Sequence, residues 1–205
     1  MKVYIVSSSY LYERMFTNRG HTLVNDIYDA DVVLFTGGSD VTPELYGQEK
    51  HPATMSCSKR DEEECKIFQM CYLRAIPMVG ICRGAQFLNV MSGGSMFQDV
   101  SGHTLGDHEI NTSCGLNFEV TSTHHQMMKP SDEGILLATA NESLWREEVI
   151  EGNISRDTWD NNDAEAVFYP KTRCFCYQPH PEFLEIDSQC QEYFFDMIDI
   201  KFGVK

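Results

Sequence analysis

The segment Gly80-Ile81-Cys82-Arg83-Gly84 sets a cysteine between two glycines, after the apolar run Ile76–Ile81 and ahead of a helical pattern. This is the strand-turn-helix elbow on which serine hydrolases carry their nucleophile, here with a thiol. The tight turn strains the backbone at the nucleophile, and only small flanking residues avoid a clash. The thiol meets a helix N-terminus, where the dipole favours thiolate. The backbone N–H of Arg83 is placed to stabilise an oxyanion. The plain alternative is a buried structural cysteine beside a glycine turn. Among eight cysteines, at 57, 65, 71, 82, 114, 174, 176 and 190, Cys82 is the one expected to be both activated and exposed.

A base is offered by Gln178-Pro179-His180-Pro181-Glu182. Each proline restricts the residue before it, so Gln178 and His180 are expected to be extended. In an extended chain, residues i and i+2 face one side about 6.5–7 Å apart. Glu182 is thus expected to reach one imidazole nitrogen of His180 and leave the other for Cys82, which supplies nucleophile, base and orienter. In Thr36-Gly37-Gly38-Ser39-Asp40 the glycines let backbone amides approach a ligand closely and could add a second oxyanion donor; alone, the pair is only a turn. The stretch Val120–Gln126 contains Ser122, Thr123, His124 and His125. With His103 and His108, these histidines raise a metal site. Open zinc sites take three protein ligands in tight geometry, and nothing here follows a recognised zinc spacing. No metal is expected; a polar loop facing the substrate is.

These segments need elements to position them. Apolar runs at Val3–Val6, Asp31–Phe35, Ile76–Ile81, Phe118–Thr121, Ile135–Ala138, Ala166–Tyr169 and Cys174–Tyr177 read as strands. The first three lie close to helical segments, which suggests parallel strands with crossovers. The clearest helix is Arg60–Ala75, with Cys65, Phe68, Tyr72 and Ala75 at helical spacing, an acidic first turn suited to the dipole, and Pro77 as its stop. A second spans about Gly84–Met91. A third spans about Asp187–Lys201, with Cys190, Phe194, Met197 and Ile198 on one face. The polar stretch Glu151–Asp163 reads as an exposed loop or hairpin. The expectation is one α/β domain over residues 1–205, with a mostly parallel central sheet flanked by helices. In such sheets, sites form at the carboxyl ends of the strands.

The 205 residues suffice for one well-cored domain. A formal net charge of −15 repels phosphate backbones and anionic lipid, so neither nucleic acid nor membrane is an expected partner. Met1–Val6 is too short and too quickly polar for a signal peptide, and the expected setting is cytoplasmic. Reduced thiols are expected over disulfides. Cys174-Phe175-Cys176 reads as strand.

Taken together, the segments 37–47 (G-G-S-D-V-T-P-E-L-Y-G), 60–64 (R-D-E-E-E), 80–90 (G-I-C-R-G-A-Q-F-L-N-V), 93–100 (G-G-S-M-F-Q-D-V), 121–126 (T-S-T-H-H-Q) and 178–182 (Q-P-H-P-E) resemble a class I glutamine amidotransferase domain. Within that superfamily they are most similar to the γ-glutamyl hydrolase-like branch, peptidase C26 type, which includes γ-glutamyl-γ-aminobutyrate hydrolases. The resemblance implies a flavodoxin-like class I architecture and a catalytic triad of Cys82, His180 and Glu182. It implies oxyanion donors from the Gly37-Gly38 turn, with Gly38 foremost, and from Arg83. It implies recognition of the glutamyl head by Gln86 and by Ser122, Thr123 and His124. The implied reaction cleaves the γ-amide of glutamine or a γ-glutamyl amine through a γ-glutamyl thioester and requires no metal or organic cofactor. The alternatives are a glutaminase subunit supplying ammonia to a separate synthetase partner, and an idle binding protein on the same scaffold. A homodimer is also compatible. The family often has asparagine where this chain has Thr121. The segments after Val6 and between Gly102 and Asn117 look trimmed, which leaves the group on the γ-carbonyl unassigned.

Overall fold

The computed structural model describes residues 1–104, 106–157 and 162–204. In chain order the strands are β1 Lys2–Val6, β2 Thr22–Leu23, β3 Val32–Phe35, β4 Met78–Ile81, β5 Ser95–Phe97, β6 Asp99–Val100, β7 Gly106–Thr112, β8 Asn117–Ser122, β9 Met127–Lys129, β10 Ile135–Ala140, β11 Arg146–Ile150, β12 Asn153–Asp157, β13 Asp163–Tyr169 and β14 Cys174–Tyr177. The helices are α1 Tyr10–Asn18, α2 Ser58–Leu73, α3 Arg83–Met91 and α4 Gln189–Phe202.

The central sheet runs β2-β1-β3-β4-β14-β13-β10-β7-β8. From β2 to β14 every neighbouring pair is parallel. From β14 outward the pairs are antiparallel. All four residues of β3, β4 and β14 are buried, as strands covered on both faces must be. Alternate residues feed two cores. Leu34, Val79, Ile81, Phe175 and Tyr177 pack with Phe16 of α1 and Phe194 of α4. Val33, Phe35, Met78, Cys174 and Cys176 pack with Phe68 of α2 and Phe87 of α3. Helices thus cover both faces of an α/β sheet. No described helix is long and apolar enough to cross a membrane.

The register brings the carboxyl ends of three strands together. Phe35 is opposite Gly80 and Ile81 is opposite Tyr177, so the chain leaving β3, β4 and β14 enters one region.

Several elements differ from expectation. Helix α1 fills the segment after Val6, with Tyr12, Met15 and Phe16 buried at helical spacing. Strand β7 fills much of the segment between Gly102 and Asn117. Helix α2 ends at Leu73, with Ala75 at φ 55° before Pro77. Its buried face is Asp61, Glu64, Phe68 and Cys71, while Tyr72 is 45% exposed. Two carboxylates take the buried face because they pair there with an arginine, as described below. The polar stretch after Ile150 agrees with the expected loop or hairpin: it supplies the turn and second strand of the β11–β12 hairpin. Its two-residue turn, Glu151-Gly152, has φ of 50° and 74°, the left-handed pair that matches strand twist. Residues 158–161 of that stretch lie outside the described residues.

Candidate active site

Cys82 stands between β4 and α3 with φ 51° and ψ −113°, a conformation that costs a non-glycine residue roughly 1–3 kcal/mol. Close packing accounts for both flanking glycines. A Cβ on Gly80 would lie 2.4 Å from the Gly84 backbone, and one on Gly84 would lie 2.1 Å from the Phe35 carbonyl oxygen. The elbow is thus wedged between α3 and β3.

His180 follows β14. Its Nδ1 lies 2.6 Å from Glu182 Oε1, and Cys82 stands beside its ring. The approach to Glu182 is not the extended one expected: Pro181–Phe183 form a 3-10 turn, which folds the carboxylate back. Burial favours neutral His180, but Cys82 and Glu182 outweigh it and raise its pKa from 6.5 to about 10. The His180 backbone is clamped by Thr121, whose Oγ1 accepts the His180 N–H at 3.1 Å and donates to the His180 carbonyl at 3.2 Å. The imidazole stacks on Phe183, with ring centroids 4.6 Å apart.

The glycine turn closes over the pair. A Cβ on Gly37 would meet Tyr12 Oη at 2.9 Å and His180 Cε1 at 3.1 Å, and would sit 3.7 Å from Cys82 Cβ. The Gly37 N–H donates to Tyr12 Oη at 3.0 Å, so it is already engaged. Arg60 donates to the carbonyls of Thr36 and Gly37 at 2.8 and 2.9 Å. In a trans peptide this turns the Gly38 N–H to the opposite side from Arg60. Tyr12 is a neighbour the sequence did not reveal. Helical spacing marks its helix, but not the place of its hydroxyl. Its pKa is pushed up by burial and then by the Glu182 charge.

The side chain of Arg83 does not enter the site. It is buried in ion pairs with Asp61 and Glu64 of α2, so only its backbone N–H is left to serve Cys82. Glu64 also accepts from Arg60 at 2.8 Å, and Asp61 accepts the Thr42 N–H at 3.1 Å. Two arginines and two carboxylates therefore join the elbow, α2 and the glycine turn. Burial, followed by Arg60, lowers the Arg83 pKa to about 10.

The residues expected to read a glutamyl head are less convergent. Gln86 is buried, its amide donating to the Gln126 carbonyl at 3.1 Å and to Gln178 Oε1 at 3.2 Å. Ser122 is buried and donates to the His103 carbonyl at 2.7 Å. His124 is buried and donates from Nδ1 to the Gln126 carbonyl at 2.8 Å. Both side chains are buried in bonds within the fold, against the expectation of a loop facing the substrate. Burial, then His103, holds the His124 pKa well below its ordinary value. Thr123 is exposed. Half-exposed His125 turns elsewhere, to Asp40 at 3.2 Å.

Cys82 is only 7% exposed, whereas Cys57 and Cys114 are exposed. The expectation of an exposed nucleophile is corrected: the elbow, the glycine turn and His180 cover it. A cleft of about 550 Å³ lies elsewhere, lined by Phe68, Met91, Ser92 and Thr172. These residues follow from the far end of α3 and the amino end of β14, away from the thiol. Convergent chemistry, not cavity size, marks the site.

The sequence model of the family described as Peptidase C26 matches residues 17–157, well over half of the chain. That span contains the elbow and ends before His180 and Glu182. A Mycobacterium tuberculosis protein named as a putative glutamine amidotransferase is 33% identical over 129 residues, which cover 53% of this chain and 42% of that protein. The match thus spans less than half of that relative's length. A Lactococcus lactis protein named as a putative glutamine amidotransferase-like protein is 29% identical, over 63% of this chain and 69% of its own. The fold matches a crystal structure described as that of a putative GMP synthase subunit from Thermoplasma acidophilum. The TM-score is 0.65 and the identity 16%, covering 99% of this chain and 94% of that one. A glutamine amidotransferase from Thermotoga maritima has a TM-score of 0.62 at 14% identity, covering 98% and 85%.

Proposed function

The chain belongs to the peptidase C26 family, and on that premise we propose that it is a thiol hydrolase of the γ-amide of glutamine or of a γ-glutamyl amine. The observation that carries this is one array: Cys82 on a positive-φ elbow beside His180, which Glu182 holds at 2.6 Å. The Cys82 thiolate attacks the γ-carbonyl carbon while the imidazolium of His180 holds the proton. The carbonyl oxygen takes up negative charge and is met by the Arg83 and Gly38 N–H groups. The C–N bond breaks as His180 protonates the departing amine, leaving a γ-glutamyl thioester. His180, now neutral, takes a proton from water, which attacks the thioester and releases glutamate. The thiolate–imidazolium pair is thereby restored. Glu182 keeps the ring oriented throughout. The reaction draws only on the chain's own side chains and backbone.

The test is glutamate release by the purified chain from a panel of γ-glutamyl amides, glutamine included. At least one should be turned over, and Cys82→Ala should lose several orders of magnitude. No turnover of any amide by folded protein, or unchanged turnover by Cys82→Ala, overturns the proposal. The fold likeness to a protein described as a GMP synthase subunit favours a second reading, an ammonia-supplying glutaminase subunit. In that case glutamine hydrolysis would be weak alone and rise on adding the synthetase, with no other amide accepted.

A further inference from the structure

Three histidines and two carboxylates meet out of solvent where the loops around β7 and β8 lie against β13. His103 and Glu165 are fully buried; His108, His124 and Asp163 nearly so. One ring nitrogen each from His103 and His124 and one oxygen of Glu165 lie within 4.8 Å of one another.

Neighbours fix which nitrogens carry protons. Asp163 Oδ2 accepts the backbone N–H groups of Glu142 and Ser143 at 3.0 and 2.8 Å. An oxygen that already accepts two N–H groups is an acceptor for His103 as well, and it takes the Nε2–H at 3.1 Å. That leaves His103 Nδ1 facing Glu165 Oε1 at 3.6 Å. Ser122 Oγ, 3.3 Å from the same nitrogen, spends its proton on the His103 carbonyl. In His124, the Gln126 carbonyl can only accept, so Nδ1 carries the proton and Nε2 a lone pair. Among the described residues, His124 Nε2 and both Glu165 oxygens have no hydrogen-bond partner. His108 Nε2 lies 3.3 Å from Glu165 Oε1, off the line of a hydrogen bond.

His103 Nδ1, His124 Nε2 and Glu165 are therefore gathered as acceptors, with His108 as a neighbouring donor that faces Glu165, and acceptors left unmet are costly to bury. One proton between His103 and Glu165 would leave His124 Nε2 unmet, whereas one cation accepts all three. We propose that His103, His124 and Glu165 bind a zinc ion that pins the loops before β7 and after β8 to β13. Two neutral imidazoles and a carboxylate are zinc's ligand types, at bond lengths of about 2.0–2.2 Å. The remaining nitrogen of each histidine is held by a carboxylate or a backbone carbonyl, the outer arrangement that orients metal-binding imidazoles. His108 braces the carboxylate, and the fourth position is left to water. No step of the amide chemistry proposed above runs through the ion.

The test is the zinc content of the purified full chain by mass spectrometry, with thermal unfolding in zinc and in chelator. Cys57→Ser/Cys114→Ser protein removes exposed thiols as a competing source of zinc. About one zinc per chain is expected, with a lower unfolding midpoint in chelator. Glu165→Gln and His124→Gln should each cut the bound zinc at least tenfold. Cobalt should replace zinc with the visible absorption of a four-coordinate site. Folded wild-type protein that carries no zinc and gains no midpoint in excess zinc overturns the proposal. Because zinc content is read on the wild type, a variant that fails to fold leaves the test intact.

Discussion

At the scale of single residues, the site turns on one proton. Cys82 and Glu182 raise His180 from 6.5 to about 10 against the pull of burial. A histidine whose pKa rises on folding stabilises the fold fully below its unfolded pKa, and that contribution is lost as pH climbs through the folded value. The window here is about pH 6.5 to 10. Cys82→Ala removes the foremost of the raising causes, so NMR titration should find His180 titrating well below the wild-type value. An unchanged value would mean that Cys82 does not contact the ring. Glu182→Gln should also lower it and should keep part of the activity that His180→Ala loses. In serine triads the acidic member costs about 10–100-fold less than the base. Equal loss in two well-folded variants would give Glu182 a larger part than orientation.

At the scale of elements, the Arg83 side chain couples the elbow to α2. It replaces a substrate contact with a buried four-charge cluster of Arg60, Arg83, Asp61 and Glu64. Removing one partner strands the others out of water, at a cost of about 3–5 kcal/mol. Arg83→Met should therefore lower stability by that amount in urea unfolding, although its side chain never meets the thiol. A change under about 1 kcal/mol would mean that solvent reaches the cluster. Thr121 acts at the same scale. Its hydroxyl ties β8 to the backbone of His180, which gives a use to the residue that departs from the family's asparagine.

At the scale of the whole molecule, the charge of −15 repels itself across a chain whose strongest ion pairs are buried. Salt screens exposed charges over about 8–10 Å at physiological strength and should relieve that repulsion. Raising NaCl from about 10 to 200 mM should lift the thermal midpoint by ~2–5 °C. A falling midpoint would show that surface pairs such as Arg19–Glu192 outweigh the net repulsion. Cys82 and His180 follow strands of the parallel half of the sheet, and the histidine cluster lies on the antiparallel half.

The amino-acid order alone determined the elbow, the proline-bracketed histidine with its glutamate, and the strands that carry them. Each of these rests on short-range constraints. Two glycines are needed where a Cβ would strike backbone, and two prolines limit the conformations before them. A buried strand must be apolar throughout. Tertiary structure alone decided that Arg83 pairs with α2, that Tyr12 reaches Gly37, and that Ser122 and His124 face inward. It alone brought Glu165 to His103, and they stand 62 positions apart in sequence. Such meetings depend on which strands become neighbours, and β13 lies beside β10 and β14 only because the sheet is assembled in that order. Local sterics and periodicity hold no record of that order. The carboxylate that would complete a metal site therefore went unseen in the spacing of the histidines, while the proposed nucleophile, base and orienter were legible within a few residues of each motif.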